Sequence, residues 1–254
     1  MKEIELRDWN HFREYVSDSF SLQLGYIFRG QADRDWKLES TLTRLTRKIS
    51  ENYPPKALEN MQLHNFKMRI RGLRGNNPQS LDENGLWALG QHYGLSTPLL
   101  DWTQSIYIAV YFAFESSNSC ESGWRTIYAL NKSKLIKDHP DLQKEGVEFI
   151  EPLYDDNKRI IAQAGLFSKI PVESDLESWL LERGLGSYLT KLHIENENRL
   201  TIINDLMLMN ILGTSIYPDL HGSSVTCNML IENLSENMEQ MRSFIKMVDR
   251  LKLR

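Results

Sequence analysis

The chain has 254 residues, of which 41% are hydrophobic and 25% are charged, and its formal net charge at pH 7 is −4. This composition is ordinary for a globular protein and excludes a low-complexity chain. No run of about eighteen apolar residues occurs, so we expect neither a transmembrane helix nor a membrane partner. The only two cysteines, Cys120 and Cys227, are too few for a disulfide framework or a zinc cluster. We therefore expect a cytoplasmic protein without a metal site.

The charge is unevenly distributed along the chain. Residues 34–74, which we call the basic band, contain ten Lys or Arg and four Asp or Glu, giving 10 − 4 = +6, so the remainder carries −4 − 6 = −10. A basic band on an acidic protein indicates a polyanionic partner such as nucleic acid. The alternative interpretation, a solvated helix face whose charges form ion pairs, is equally open at this point.

In the first half of the chain, helical periodicity alternates with one short apolar run. Asp8 is suited to cap a first helix that ends near Phe20. A strand is predicted over residues 26–28, and helices over 40–49 and from Pro54 to about Gly72 or Gly75.

The second half repeats this alternation of helices and strands. Residues 105–114 are almost entirely apolar, and the alanines among them favour a buried helix over a strand. Residues 159–167 are predicted to form a strand with a bulge or turn at Gly165, and Ser174 is predicted to cap a helix that ends near Leu181. The other predicted elements are helices at 86–92, 132–137 and 197–212 and strands at 95–100, 124–130 and 189–194.

The end of the chain differs from the rest. A single helix is predicted over residues 223–251, with an apolar heptad seam. This seam either closes against the core of the same protein or offers a docking stripe to a partner helix. We accordingly divide the chain into a domain at 1–222 and a helical extension at 223–254. The seam consists of Leu234, Met238, Met241, Ile245 and Val248.

Two short segments place hydrogen-bonding side chains at the end of an apolar stretch. Residues 26–31 read YIFRGQ, and residues 90–103 read GQHYGLSTPLLDWT. An arginine at the end of a buried strand needs an anion or a carboxylate as its partner. The second segment adds His, Ser, Thr and Asp side chains just before the apolar helix. This arrangement predicts a ligand pocket.

These segments resemble motifs of the FRG-domain family. Phe28-Arg29-Gly30-Gln31 is similar to the motif that names the family. Three further blocks follow in the family's order, and together the four cover about residues 20–222. The chain departs from the pattern at His221, where Asp is more usual. The further blocks are residues 91–103 with the apolar helix at 109–114, residues 159–167 and residues 216–222.

The order of these motifs is also similar to that of ADP-ribosyltransferases. That resemblance implies an α+β fold with an ADP-ribosyltransferase-like split β-sheet surrounded by helices, and NAD as substrate. Arg29 is the first element of the site, Ser96 to Thr103 the second, and Gln163 the third. Gln163 stands where a catalytic glutamate is usual. This replacement is expected to affect the catalytic step more than NAD binding.

The resemblance assigns roles to named residues. Arg29 contacts the NAD diphosphate or ribose, or instead pairs with Asp101 or a backbone carbonyl. Asp101 orients Arg29 or deprotonates a nucleophile, or instead caps the helix at 105. Gln163 steadies the cleaving ribose. The predicted NAD-binding residues are Tyr26, Gly30, Gln31, His92, Tyr93, Ser96, Thr97 and Thr103, of which the tyrosines also suit the core and His92 a helix end.

The resulting functional prediction is an NAD-dependent ADP-ribosyltransferase that modifies nucleic acid, RNA in preference to DNA. Such an activity harms its host cell. We therefore expect a toxin of a bacterial toxin–antitoxin or phage-defence system, which an antitoxin or chaperone keeps inactive. A non-catalytic nucleotide- or nucleic-acid-binding module is the first alternative. A structural interaction protein that acts through its C-terminal seam is the second.

Overall fold

The computed structural model describes residues 1–21, 24–49, 51–117, 120–151, 158–233, 238 and 242. The strands are β1 Lys2–Leu6, β2 Tyr26–Gln31, β3 Leu99–Thr103, β4 Trp124–Asn131, β5 Glu148–Ile150, β6 Gly165–Lys169 and β7 Leu189–Glu195. The helices are α1 Trp9–Phe20, α2 Thr41–Thr46, α3 Pro55–Arg69, α4 Glu83–His92, α5 Ile106–Phe114, α6 Lys132–Asp138, α7 Lys158–Ala162, α8 Leu176–Glu182, α9 Arg199–Leu208, α10 Gly213–Ile216 and α11 at 220–233.

The strands form one seven-stranded mixed sheet in the order β1-β7-β4-β2-β3-β6-β5. β1 pairs in parallel with β7, and the other neighbours are antiparallel. The sheet and its helices confirm the predicted α+β class. β2 and β4 pair over six positions, whereas β2 and β3 share the single registered pair Phe28 and Thr103. The sheet is therefore loosely joined at its centre, between β2 and β3.

Both faces of the sheet are covered, because alternate side chains of a strand point to opposite faces. Phe28 packs in the cluster that contains α1, α5 and α9, while its neighbour Ile27 packs in the cluster beneath α6 and α8. A third cluster joins α3 and α4 to β3 and β6 through residues such as Trp87 and Phe167.

Helix α5 lies directly on β2 at Gly30. A Cβ atom at this position would lie 1.9 Å from the carbonyl oxygen of Ala109. The glycine thus serves the close approach of helix and strand.

Several predicted boundaries agree with the structure. Asp8 caps α1 by accepting a hydrogen bond from the amide of His11, and Ser105 caps the buried helix α5. Ser40 caps α2, which is shorter than the predicted helix at 40–49.

Other elements differ from the prediction. The predicted strand at 159–167 is wrong in its first half, because Lys158–Ala162 is helical. Ala164 then adopts φ 45°, a left-handed turn, and β6 begins only at Gly165. The strand predicted at 95–100 lies instead at Leu99–Thr103, and Asp175 rather than Ser174 caps α8.

Helix α11 starts before the predicted boundary at residue 223 and packs on the main body of the protein. Met229 is buried in the cluster that also contains α5 and α9. Met238 is helical and 54% exposed, and the other four seam residues lie outside the described residues. Within the described part of the chain, every helix is too short or too polar to cross a lipid bilayer.

Candidate functional site

A cavity of about 380 Å³ opens where β2 and β3 separate. Its walls come from β2, β3 and β6, from the end of α4, from α7 and from the segment after α10. Charged and polar side chains line it together with aromatic ones, including Phe112, Trp102 and Tyr217. A cavity of this size and mixed character is typical of a small-molecule site.

Arg29 bridges the opening between the two strands. Its Nη1 donates a 2.7 Å hydrogen bond to the backbone oxygen of Asp101 and lies 3.6 Å from the carboxylate Oδ2 of the same residue. Its Nε is buried and has no hydrogen-bond partner among the described residues. Burial lowers the pKa of Arg29, an effect that Asp101 opposes and the neighbouring Arg44 increases. The guanidinium nevertheless stays charged at neutral pH, because arginine is effectively always protonated in proteins.

The Asp101 carboxylate is held by a chain of hydrogen bonds from the preceding loop. Thr97 is fully buried and donates through Oγ1 to Oε1 of Gln91. The Nε2 of Gln91 donates in turn to Oδ1 of Asp101 over 2.6 Å. The amide of Thr97 donates to Oγ1 of Thr41, which joins α2 to this loop. The carboxylate is therefore oriented while its side chain remains 59% exposed.

The third predicted element, Gln163, lies in the turn between α7 and β6. Its backbone oxygen accepts a 2.6 Å hydrogen bond from Oγ1 of Thr103. Its side-chain Nε2 donates to the backbone oxygen of Ile216 over 3.3 Å. These bonds fix the turn against β3 and α10, at the border of the cavity.

Arg159 and His92 also line the cavity. The guanidinium of Arg159 donates two hydrogen bonds to Asp219 Oδ2, at 2.6 and 2.9 Å, and lies over the ring of Tyr217. Burial lowers the pKa of His92, Arg159 lowers it further, and Asp219 opposes this shift. A neutral imidazole at pH 7 follows, which donates one hydrogen bond and accepts another.

The phenol of Tyr217 belongs to a polar cluster with Glu115 and Tyr111. This phenol donates to Glu115 Oε2 over 3.2 Å, and the phenol of Tyr111 donates to Oε1 over 3.1 Å. Burial raises the pKa of the Glu115 carboxyl, although both phenol hydrogen bonds lower it. The carboxyl thus anchors one aromatic wall of the cavity.

The structure brings six of the predicted site residues together around the cavity. The other five lie elsewhere in the described part of the chain. Tyr26 packs against Phe20 and Phe28, and the Gln31 side chain donates to the backbone oxygen of Lys37. Tyr93 is 76% exposed, and Ser96 and Thr97 belong to the loop that precedes β3. The six that line the cavity are Arg29, Gly30, His92, Asp101, Thr103 and Gln163.

Gly30 lines the cavity, and its contact with α5 leaves no room for a Cβ atom. One proposed interpretation of these residues needs correction. Asp101 does not cap the buried helix, because the Ser105 side chain accepts the hydrogen bond from the amide of Ile108.

Sequence reasoning did not single out Gln91, Arg159 and Tyr217 as site residues, yet all three line the cavity. Each lies inside one of the four sequence motifs, so the motifs themselves carried the relevant signal. Their roles depend on partners distant in sequence, such as Asp219 for Arg159. No group of three or more metal-binding side chains assembles within the described residues.

The basic band is partly neutralised by ion pairs. Arg44, Arg71 and Arg74 donate hydrogen bonds to backbone oxygens. These contacts support the ion-pair interpretation for part of the band, and a polyanionic partner stays a prediction. Among the described residues of the band, the five cations that pair with carboxylates are Arg34, Lys37, Arg47, Lys56 and Lys67.

Comparison with known proteins gives one finding. The family model of the FRG domain matches residues 25–122. The matched region runs from β2 past α5 and contains Arg29, His92, Asp101 and Thr103. Neither the curated proteins nor the solved structures yield a match.

Proposed function

We propose that this FRG-domain protein binds NAD in the cavity between β2 and β3 and transfers its ADP-ribose to a nucleic acid. The single observation that carries the proposal is the Arg29 guanidinium at the cavity wall, with a buried Nε that has no partner among the described residues. A buried donor without a partner costs about 1–3 kcal/mol, so a ligand acceptor at this point is favourable. Arginine is the side chain best suited to a diphosphate.

The remaining cavity walls suit the other parts of a dinucleotide. Aromatic side chains such as Phe112 and Tyr217 offer flat apolar surfaces to a nicotinamide or adenine ring. His92 and Gln163 offer hydrogen bonds to ribose hydroxyls. The volume of about 380 Å³ lies within the usual range for small-molecule sites, roughly 300–1,000 Å³.

The transfer step needs one proton acceptor. The bond between the ribose C1′ and the nicotinamide nitrogen breaks with its electron pair, so nicotinamide leaves neutral and an oxocarbenium-like ribose develops. An acceptor atom of the nucleic acid bonds to C1′ and gives up its proton. Among the described residues that line the cavity, Asp101 is the one carboxylate, so we assign it this proton.

We also propose that the sheet is of the ADP-ribosyltransferase-like split type. In support, the three elements of the motif order lie on or beside adjacent strands: Arg29 on β2, Asp101 on β3, and Gln163 directly before β6. The single registered pair between β2 and β3 leaves the opening that such a site needs.

The basic band supports a polyanionic acceptor, and we propose RNA in preference to DNA. Modification of RNA harms the host cell, so the protein acts as a toxin of a bacterial toxin–antitoxin or phage-defence system. An antitoxin or chaperone partner keeps it inactive until it is needed.

A second function, NAD or nucleotide binding without catalysis, is favoured by one specific observation. No glutamate lines the cavity among the described residues, and the Gln163 carboxamide donates to the backbone oxygen of Ile216. A sensing module needs the Arg29 contact but neither a carboxylate nor an acceptor.

The test uses purified full-length protein and NAD labelled in its adenylate part. Binding is measured by calorimetry, and label transfer is measured separately with total RNA, DNA and cell protein. Arg29→Ala is expected to lose both, because the diphosphate loses its guanidinium. Arg13→Ala serves as the matched control, since this exposed arginine of α1 is not among the residues that line the cavity.

The outcomes separate the two functions. Transfer to RNA that disappears in Arg29→Ala supports the enzyme. Binding of NAD without release of nicotinamide supports the sensing module. If the wild-type protein evolves no heat with NAD, the transferase and an NAD-sensing module are both wrong, and only a sensor of another nucleotide remains.

A further inference from the structure

A second cavity, of about 160 Å³, lies on the other side of the Arg29–Asp101 pair. Arg29, Gln91 and Asp101 line both cavities and form the wall between them. The second cavity is bounded beyond this wall by Arg44 of α2 and by the loop at residues 94–96. One oriented carboxylate therefore has access to two adjoining spaces.

Hydrogen bonds join the segments that form the walls of this cavity. The amide of Leu42 donates to the backbone oxygen of Thr97 over 3.1 Å, and the Thr41 hydroxyl donates to the same oxygen over 3.3 Å. From α3, the Gln62 side chain donates to the backbone oxygen of Ser96 over 3.3 Å. Helices α2 and α3 are thereby fixed to the loop.

The polar groups of the second cavity suit a phosphate. Arg44 donates through Nη1 to the backbone oxygen of Glu39 over 3.0 Å, and its other guanidinium nitrogens have no partner among the described residues. The Glu39 carboxylate is already paired with Arg47. The hydroxyl of Ser96 likewise has no hydrogen-bond partner in the described chain. Two guanidiniums facing one small space repel each other, and an anion between them relieves that repulsion.

We propose that the second cavity binds a backbone phosphate of the acceptor RNA strand through Arg44 and Ser96. This inference rests on the proposed function and adds the path of its acceptor. With the phosphate held there, the adjoining nucleotide lies against Asp101 and faces the donor cavity. The acceptor atom then attacks C1′ of the donor ribose, its proton passes to the Asp101 carboxylate, and neutral nicotinamide leaves from the other side.

The experiment measures the binding of a fluorescent single-stranded RNA of twelve nucleotides and mixed sequence to the full chain. Arg44→Gln is expected to weaken binding roughly tenfold, since one charge-assisted contact is lost. The slope of log K against log salt is expected to become shallower by about 0.7. Arg13→Gln removes an equal charge outside the basic band and is expected to change affinity by less than about twofold.

A second variant, Ser96→Ala, distinguishes a loss of RNA binding from a loss of folding. Ser96→Ala removes only the loop hydroxyl and is expected to weaken RNA binding by a smaller factor, about twofold to threefold, at an unchanged melting temperature. If Arg44→Gln and Arg13→Gln weaken RNA binding equally, the phosphate site is wrong.

NAD calorimetry on the same proteins distinguishes this failure from that of the proposed function. Loss of NAD binding in Arg29→Ala, together with equal RNA affinities of the Arg44→Gln and Arg13→Gln variants, overturns the RNA path alone. Absence of NAD binding in the wild type, with RNA binding that depends on Arg44, overturns the transferase and upholds the phosphate site.

Discussion

Two arginines on neighbouring strands, Arg29 on β2 and Arg125 on β4, behave in opposite ways. Arg125 is fully buried, and each of its side-chain nitrogens has an acceptor: the backbone oxygens of Ala113 and Ser116 and the Oδ1 of Asn196. It satisfies the carbonyls at the end of α5, which otherwise have no partner in a buried helix terminus.

The Arg29 side chain is 20% exposed and lacks the full set of acceptors that Arg125 has. Burial lowers the pKa of both side chains. Only at Arg29 does a buried donor, Nε, lack a partner within the described chain, and only Arg29 borders the cavity. We therefore rest the proposal of a binding role for Arg29 on this unmet hydrogen-bond donor beside a cavity, and not on burial or a lowered pKa, which the structural Arg125 shares.

The largest expected loss of stability follows from replacing Arg125, the structural arginine of the pair. Arg125→Ala leaves two backbone oxygens and the Asn196 amide without their donor inside the protein, which costs about 3 kcal/mol or more of unfolding free energy. Urea denaturation followed by circular dichroism measures this loss. An unchanged midpoint would remove the contrast with Arg29.

Gly30→Ala is expected to have the next largest effect. The new methyl would lie 1.9 Å from the oxygen of Ala109 and 2.7 Å from the amide nitrogen of Ala113, both of them backbone atoms. Helix α5 must then move away from β2, and overpacking of this kind costs typically about 1–3 kcal/mol. The same denaturation assay tests it, with Gly94→Ala, in an exposed turn of positive φ, as a comparison for backbone strain alone. A fully stable Gly30→Ala variant would mean that the glycine is not required for packing.

Arg29→Ala is expected to change stability little while NAD binding is lost. The variant gives up one hydrogen bond to the Asp101 carbonyl and also relieves an incompletely satisfied buried charge, so the net change stays within about 1 kcal/mol. Thermal melting of the variant beside the wild type measures the change. A melting temperature as low as that of Arg125→Ala would make Arg29 structural and contradict the proposed function.

The smallest effect concerns Glu115 and appears as a pH dependence. Its pKa in the folded protein is raised above the ordinary value of 4.5, so the native state holds the proton more tightly. Its contribution to stability is therefore complete below pH 4.5 and is lost as the pH rises through the folded-state pKa.

Glu115→Gln removes this titration. Relative to the wild type, the variant is expected to gain stability between pH 4 and pH 7, as measured by urea denaturation at several pH values. A difference between the two proteins that does not vary with pH would show that Glu115 does not titrate in this range.

Local sequence signals predicted those parts of the fold that depend on neighbouring residues. The cap at Asp8 and the buried helix ending at Phe114 follow from side chains within a few positions of each element. The strand predicted at 159–167 was partly wrong because the isoleucines of this segment favour a strand. In the structure, a left-handed turn at Ala164 separates a short helix from β6.

The candidate site was predicted in part. Gln163 was indicated by the resemblance to ADP-ribosyltransferases. Arg29 and Asp101 stood out in the sequence as polar residues within apolar motifs, and all three line the cavity. Gln91 did not, because its role depends on Thr97 on one side and Asp101 on the other. Strand β1 was missed for a similar reason, since its partner lies far along the chain.

The parallel pairing of β1 with β7 also governs the order of assembly. Residues 2–6 bond to residues 190–194, so strand β1 leaves the ribosome well before its partner and must wait until β7 has been synthesised. At typical elongation rates this delay lasts roughly 10 to 40 seconds. Its charged residues Lys2, Glu3 and Glu5 keep the unpaired strand hydrated during that interval and oppose premature association with another nascent chain.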